Sequence, residues 1–297
     1  MRIIFFGTPE FALPTLEALA REHEIALVVA QPDKRAGRGL NLQSPAVAVK
    51  ARELGLPLAQ PAKIRDVLQQ IAAVKADIGV VVAYGKILPA ALLNMPRRGF
   101  LNVHASILPK YRGAAPIQRA IEHGESETGV TIMRVDAELD HGPILSIART
   151  RIGADERASE LSPRLAKIGA DAMLSTLGGL DRIVETPQDH SQATYAPKIE
   201  KAEGEIRWSD SATAIYNKFR AFDPWPGVFA GDVKLIDIAP ASGSGEPGKI
   251  LSIDDGVTVA TGDRAIQLLV VQRSGKSRQR AAEFARGAGW RVGAQLE

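Results

Sequence analysis

The sequence of 297 residues contains no cysteine. That absence excludes disulfides, zinc sites built on thiolates, a cysteine nucleophile and iron–sulfur ligation, and leaves oxygen and nitrogen groups to carry any chemistry. Long apolar runs are missing too. The longest candidate, Ile78 to Ala83, has the size of a strand, far below the ~20 apolar residues that cross a bilayer. The opening Met1-Arg2-Ile3-Ile4-Phe5-Phe6-Gly7 sets four apolar residues before a glycine, too few for the apolar region of a signal peptide. A soluble, cytoplasmic protein with no membrane partner is expected. Charge of one sign is not in large excess: 37 Lys and Arg against 34 Asp and Glu give a formal net charge of +3, leaning toward anionic partners without resembling a histone-like binder. With 45% hydrophobic and 24% charged residues, disorder, collagen and coiled coil are excluded. The nucleotide signatures are absent as well. After the first strand candidate a dinucleotide-binding protein shows Gly-x-Gly-x-x-Gly, whereas Gly7-Thr8-Pro9-Glu10-Phe11 holds one glycine; no Gly-x-x-x-x-Gly-Lys-[Ser/Thr] occurs either. Thr8 and Pro9 read as the cap and first position of a helix.

What is present is an alternation of short apolar runs with helix-patterned stretches, the signature of a parallel sheet covered by helices. Strands are expected over Arg2 to Phe6, Ile25 to Ala30, Ile78 to Ala83, Phe100 to His104, Val130 to Arg134 and Ile144 to Thr150. Phe11, Leu16 and Leu19 share one helix face, Ile64, Val67, Leu68 and Ile71 another, and a longer amphipathic stretch runs from Ser159 to Leu177. The predicted organisation is an α/β domain with a Rossmann-like, mostly parallel sheet over 1–180, a polar linker over 181–204 containing Pro187 and Pro197, and a small β-barrel or sandwich over 205–297. In the last part a helix near Ala212 to Arg220 precedes β-type runs at Val233 to Ile238, Lys249 to Ile253, Gly256 to Ala260 and Ala265 to Val271.

Three features carry chemistry. Asn102 and His104 end a strand candidate with one residue between them, so both face the same side, and the loop that follows leaves the carboxyl end of the strand, where open α/β sheets place their ligand crevices. Asp140 lies in the turn Glu138-Leu139-Asp140-His141-Gly142-Pro143. Taken singly, the histidine reads as a hydrogen-bonded structural residue and the aspartate as a turn former. Taken together, Asn, His and Asp without a protein nucleophile suit a reaction whose substrate brings its own: the amide donates to a developing oxyanion, and the imidazole and carboxylate handle protons. The third feature is cationic. Asp33-Lys34-Arg35-Ala36-Gly37-Arg38-Gly39 is expected to be a mobile basic loop, and from Arg264 onward seven cations, Arg264, Arg273, Lys276, Arg278, Arg280, Arg286 and Arg291, face only Glu283 and Glu297. Both stretches read either as solvated surface or as contacts to phosphates.

The motifs Asn102-Val103-His104, Ser106-Ile107-Leu108-Pro109-Lys110-Tyr111-Arg112-Gly113 and Leu139-Asp140-x-Gly142, in that order, resemble the 10-formyltetrahydrofolate-dependent formyltransferases. Phe6-Gly7-Thr8-Pro9-Glu10-Phe11, Gln31-Pro32-Asp33, Ala36-Gly37-Arg38-Gly39, Val82-Ala83-Tyr84-Gly85 and Arg220-Ala221-Phe222-Asp223-Pro224-Trp225-Pro226-Gly227 extend the likeness along the chain and draw it toward members that act on methionyl initiator tRNA. The resemblance implies a Rossmann-like domain followed by a barrel resembling an OB fold, and a folate donor with no metal. It implies catalytic roles for Asn102, His104 and Asp140, a folate site lined by Ser106, Ile107, Leu108 and Pro109 with backbone near Ile87 and Leu88, and tRNA contacts from Lys34, Arg35, Arg38, Lys276 and Arg278. A monomer is expected. His141 after Asp140, and the diluted basic stretch Gly275-Lys276-Ser277-Arg278, depart from the family pattern. Sugar-nucleotide N-formyltransferases share the Asn, His, Asp and Ser-x-Leu-Pro features and form the alternative reading; a tRNA-binding module without turnover is disfavoured by the intact trio.

Overall fold

In the computed structural model, which describes residues 1–36 and 41–296, the first apolar run forms β1 (Arg2–Gly7). It lies within a seven-stranded sheet with β2 (Glu24–Val29), β3 (Leu58–Ala59), β4 (Ile78–Val82), β5 (Phe100–His104), β6 (Glu127–Arg134) and β7 (Ile144–Arg151), in the order β7-β6-β5-β4-β1-β2-β3. Pairing is parallel from β3 through β5 and antiparallel at β5·β6 and β6·β7. Ile3, Ile4, Phe5 and Phe6 are all buried, as a strand covered on both faces requires; each such side chain contributes ~1.5–3 kcal/mol of burial. Gly79 on β4 is needed for packing, since a Cβ there would stand 2.1 Å from the Phe100 ring.

The helix Leu13–Glu22 buries Leu16 and Leu19, and Ala158–Gly179 buries Leu161, Leu165, Met173 and Leu177. Thr8 does not cap the first helix as its position suggests: its hydroxyl donates to the Tyr84 carbonyl at 2.9 Å, and Pro9 flanks a short 3-10 turn instead. Helices Ala46–Glu53 and Pro116–Glu122 are additional to the stretches expected from the sequence pattern. Among the described residues no helix is long and apolar enough to cross a membrane.

The chain divides into two compact units. The first comprises Met1–Pro116, Glu127–Arg151 and Ser162–Pro197; the second comprises Ile117–Ser126, Ile152–Leu161 and the residues from Lys198 onward. The polar segment 181–204 is thus apportioned at Pro197, its first part clustering with the sheet. The second unit holds an antiparallel sheet of β8 (Val228–Ala230), β9 (Val233–Ala241), β10 (Ile250–Ile253), β11 (Val257–Ala260), β12 (Ala265–Arg273) and β13 (Gln279–Arg280), in the order β8-β9-β12-β11-β10 with β13 also on β12. Helix Ala212–Ala221 starts at Ser211, whose hydroxyl accepts the Ala214 N–H at 3.1 Å, a cap of the ordinary kind. Within this unit polar ties hold the two early segments: Arg119 pairs with Glu203 at 2.7 Å, and the Arg220 guanidinium donates to the carbonyls of Gly153 and Glu156 at 3.2 Å. The basic C-terminal stretch is not a featureless tail. Helix Ala281–Ala288 buries Ala281, Ala282, Phe284 and Ala285 and ends on Gly289 at φ 70°, the left-handed position that favours glycine.

Candidate active site

Strand β5 delivers Asn102 and His104 to one side and points Val103, which is buried, to the other. Four contacts assemble the site. His104 Nδ1 lies 3.5 Å from Asp140 Oδ2, and Asn102 Nδ2 lies 3.4 Å from Asp140 Oδ1. His104 Nε2 meets the Tyr111 carbonyl at 2.9 Å, and the Gly113 N–H donates to Asp140 Oδ2 at 2.8 Å. The three residues singled out from the sequence therefore converge, across 38 residues of chain between Asn102 and Asp140. The Tyr111 carbonyl can only accept, so Nε2 carries the hydrogen and the neutral ring turns the lone pair of Nδ1 toward Asp140. A proton gained at Nδ1 converts that contact into a donated, charge-assisted hydrogen bond. The 3.4 Å bond from Asn102 is long, and an Asn amide carries a second N–H for another acceptor.

Local backbone geometry creates this arrangement. Asp140 has φ 49° and Tyr111 φ 62°, both in the left-handed region that a non-glycine residue occupies only when its surroundings impose it. Tyr111 is held there in part by its N–H donating to Thr194 Oγ1 at 2.9 Å. Gly113, at φ 118°, admits the carbonyl of Ala196, which a Cβ would approach to 2.7 Å.

The loop after β5 is fixed by its own hydrogen bonds. Ser106 is buried and donates to the Lys110 carbonyl at 2.6 Å, while Thr131 Oγ1 donates to the Ser106 carbonyl and accepts the Leu108 N–H. Ser106 is thereby engaged as a loop tie. Ile107 is partly buried, Leu108 is buried, and the Leu108-Pro109 peptide is cis. Leu88 packs with Phe6, Tyr84, Leu92 and Phe100 in the core, so its backbone is what it can offer a ligand, whereas Ile87 is 76% exposed. Nearby, burial pushes the Tyr84 phenol up from its ordinary range.

The polar segment before Pro197 contributes residues that the sequence did not suggest. The Gln188 amide donates to the carbonyls of Asp140 and Gly142 at 2.9 and 2.7 Å, and its oxygen accepts from Arg112 Nε and Nη2 at 3.2 and 2.6 Å. Arg112 Nη2 also meets His190 Nδ1 at 2.8 Å, and the His190 ring stacks on His141 with centroids 4.0 Å apart. His141 itself reaches Asp136 Oδ2 at 2.8 Å. Tyr195–Ala196 pairs in parallel with Arg112–Gly113. The one sequence-level trace of this network is the basic residue beside Gly113.

Of the cations assigned to RNA, Lys34 and Arg35 are exposed on a two-stranded ladder in which Lys34–Ala36 pairs with Asn41–Gln43. The sequence predicts a mobile basic loop there, without strand; backbone pairing of Lys34–Ala36 with Asn41–Gln43 corrects this at its base, an order that glycine content alone does not reveal. Asp33 anchors that base, its carboxyl held below the ordinary range by hydrogen bonds from Gln60 and then Ser44. Arg38 lies outside the described residues. Lys276 and Arg278 are exposed in the second unit, where Lys276 lines a cavity of about 330 Å³ with Arg273, Gln279 and Phe284.

Residues 1–177 match the family described as formyl transferase, and residues 198–289 match formyl transferase, C-terminal domain. The methionyl-tRNA formyltransferase of Deinococcus radiodurans is 45% identical over 304 residues, covering 100% of this chain and 96% of its own. That of Chromobacterium violaceum is 46% identical over 305 residues, covering 100% and 99%. Among solved structures, an N-formyltransferase from Helicobacter canadensis in complex with folinic acid and dTDP-3-aminofucose superposes with a TM-score of 0.72 at 17% identity, covering 90% of this chain and 98% of its own. The sugar 3N-formyl transferase WlaRD, solved with dTDP and 5-N-formyl-THF, gives 0.71 at 17% identity, covering 93% and 99%. At such identity these two establish likeness of fold.

Proposed function

The chain belongs to the formyl transferase family and transfers a formyl group to the α-amino group of methionyl initiator tRNA, supporting translation initiation; we propose that 10-formyltetrahydrofolate is the donor and that Asn102, His104 and Asp140 carry the transfer. The observation behind this reading is the convergence of an amide and an imidazole on one carboxylate, at 3.4 and 3.5 Å, with the Ser106 hydroxyl already spent on the Lys110 carbonyl. The substrate brings the nucleophile. The amine nitrogen bonds to the formyl carbon, the carbonyl electron pair moves onto oxygen, and collapse breaks the bond to N10, which takes up a proton as tetrahydrofolate leaves. Asn102 donates to the oxyanion. His104, protonated at Nδ1, stabilises or protonates the intermediate, and Asp140 accepts the proton lost by the amine, directly or through water.

Ser106 to Pro109 and the backbone at Ile87 and Leu88 are assigned to the donor. The fit is chemical: a loop tied by internal hydrogen bonds and an exposed apolar side chain at Ile87 are the kinds of group that suit a flat ring system with polar edges. A monomer acting in the cytoplasm is part of the same reading. Formyl transfer from 10-formyltetrahydrofolate to methionyl initiator tRNA and to an amino-sugar nucleotide, measured side by side, tests the reading. Turnover on the tRNA is the expected result, and turnover on the sugar nucleotide alone would sink it.

The cations assigned to RNA give a second test. Lys34→Ala and Arg35→Ala are each expected to raise the KM for tRNA several-fold and to flatten its dependence on salt by about one ion, with the KM for the folate unchanged. Arg38→Ala is expected to do the same. Unaltered tRNA kinetics and salt slope in all three variants would remove the basic ladder from the interface. For the second unit, Lys276 and Arg278 are assigned the same kind of phosphate contact.

A further inference from the structure

We propose that Gln188 is a positioning residue for the transfer, acting through Asp140 from a segment that contributes nothing to the catalytic trio itself. The inference rests on the catalytic role assigned to Asp140. That residue occupies the left-handed region, at φ 49°, so its carboxylate faces His104 only while something holds its backbone there. Its side chain accepts the Gly113 N–H at 2.8 Å and, more loosely, the Asn102 amide at 3.4 Å. Its main chain is restrained as well: the Gln188 NH2 spans the carbonyls of Asp140 and Gly142, at 2.9 and 2.7 Å, and so clamps the turn on both sides of His141.

The clamp can close in one orientation. Gln188 is buried, and its oxygen accepts two N–H groups of Arg112, itself buried. A flipped amide would turn NH2 toward a guanidinium that only donates and turn oxygen toward two carbonyls that only accept. Arg112 thus sets the sense of the amide, and because it immediately precedes Gly113, the side-chain and main-chain restraints on Asp140 belong to one connected unit. The same segment completes that unit, with Thr194 accepting the Arg112 N–H at 2.8 Å and Tyr195–Ala196 pairing with Arg112–Gly113. The far end of the turn is fixed independently by close packing, since a Cβ on Gly142 would come within 2.1 Å of the Arg134 carbonyl. Loss of Gln188 therefore frees the Asp140 end specifically.

The test uses the full-length enzyme with 10-formyltetrahydrofolate and methionyl initiator tRNA. Gln188→Ala removes the clamp. Gln188→Glu keeps the shape and a partner for buried Arg112 but faces the two carbonyls with oxygen, and so guards against a variant that merely fails to fold. With rates taken per folded molecule, both are expected to lower kcat about 10- to 100-fold, the range seen when a group that orients a catalytic residue is removed, with KM for both substrates within about threefold. In an Asp140→Asn background, adding Gln188→Ala should change the rate less than about twofold, because the group it positions is already gone. A kcat within twofold of the parent for the single variants, or losses that multiply in the double variant, would overturn the proposal. Full activity in Asp140→Asn itself would instead overturn the assignment of Asp140, which keeps the two failures apart.

Discussion

Asp140→Asn should lower kcat for formyl transfer about 10²- to 10³-fold while leaving the dissociation constant for methionyl initiator tRNA within twofold of the parent. The size follows from removal of a positioned proton acceptor, which contributes about 10²- to 10⁴-fold. The substitution is clean for a structural reason. Asn tolerates the left-handed conformation better than other side chains, so the turn at φ 49° persists, and the amide oxygen can still accept the Gly113 N–H now held at 2.8 Å by Oδ2. What disappears is the negative charge 3.5 Å from His104 Nδ1, together with the acceptor for the Asn102 amide, which would face a second NH2 group. Alanine would confuse the result by straining the turn. Stopped-flow or quench measurement of the rate, beside an equilibrium binding titration with tRNA, reads both quantities. A rate within threefold of the parent would show that the amine loses its proton to another group.

Asn102→Ala should cost about 10²- to 10³-fold in kcat, equivalent to ~2.7–4 kcal/mol, the loss expected on deleting one oxyanion donor from a protected site. Asn102 stands on β5, whose register is pinned by parallel pairing to β4 and antiparallel pairing to β6, with Asn102 opposite Val81 on one side and Met133 on the other. Truncation at Cβ leaves that ladder intact, and no charge is buried by the change. The KM for each substrate should stay within about threefold, because the donated hydrogen bond strengthens only as negative charge builds on the formyl oxygen. Asn102→Asp should be at least as inactive, since it places a second carboxylate where Asn102 Nδ2 now lies 3.4 Å from Asp140 Oδ1. Retained kcat with a raised KM would instead make Asn102 a ground-state binding residue.

The parts of this molecule that a local pattern can encode were legible in the sequence. Continuous burial of Ile3 to Phe6 and the alternation through Asn102, Val103 and His104 are properties of single strands of 6 and 5 residues, and both appear as expected. Asp140 is different: within its own turn nothing separates it from a loop aspartate, and what links it to β5 in the sequence is its complementary chemistry with Asn102 and His104 and the resemblance in motif order. Gln188 was not legible at all. Its partners lie 46 to 76 residues away, and a long-range hydrogen bond leaves no period or spacing, so a polar stretch with two prolines read simply as a linker. Thr8 shows the same limit in reverse, since its hydroxyl satisfies Tyr84, 76 residues on, where the sequence suggested a local cap. In the C-terminal stretch the many cations surround Ala281, Phe284 and Ala285 in sequence, whose three- and four-residue spacing encodes the buried face of a helix.

The central claim is that Asn102, His104 and Asp140 act as one chemical unit on substrates bound by other residues. The most direct test is the single-turnover rate of formyl transfer by the Asn102→Ala, Asp140→Asn double variant, with 10-formyltetrahydrofolate and methionyl initiator tRNA both saturating. Groups that work as a unit are strongly non-additive. The double variant should therefore be about as slow as the slower single variant, with tRNA affinity unchanged. A rate equal to the product of the two single losses, or a loss of tRNA binding that tracks the loss of rate, would contradict it.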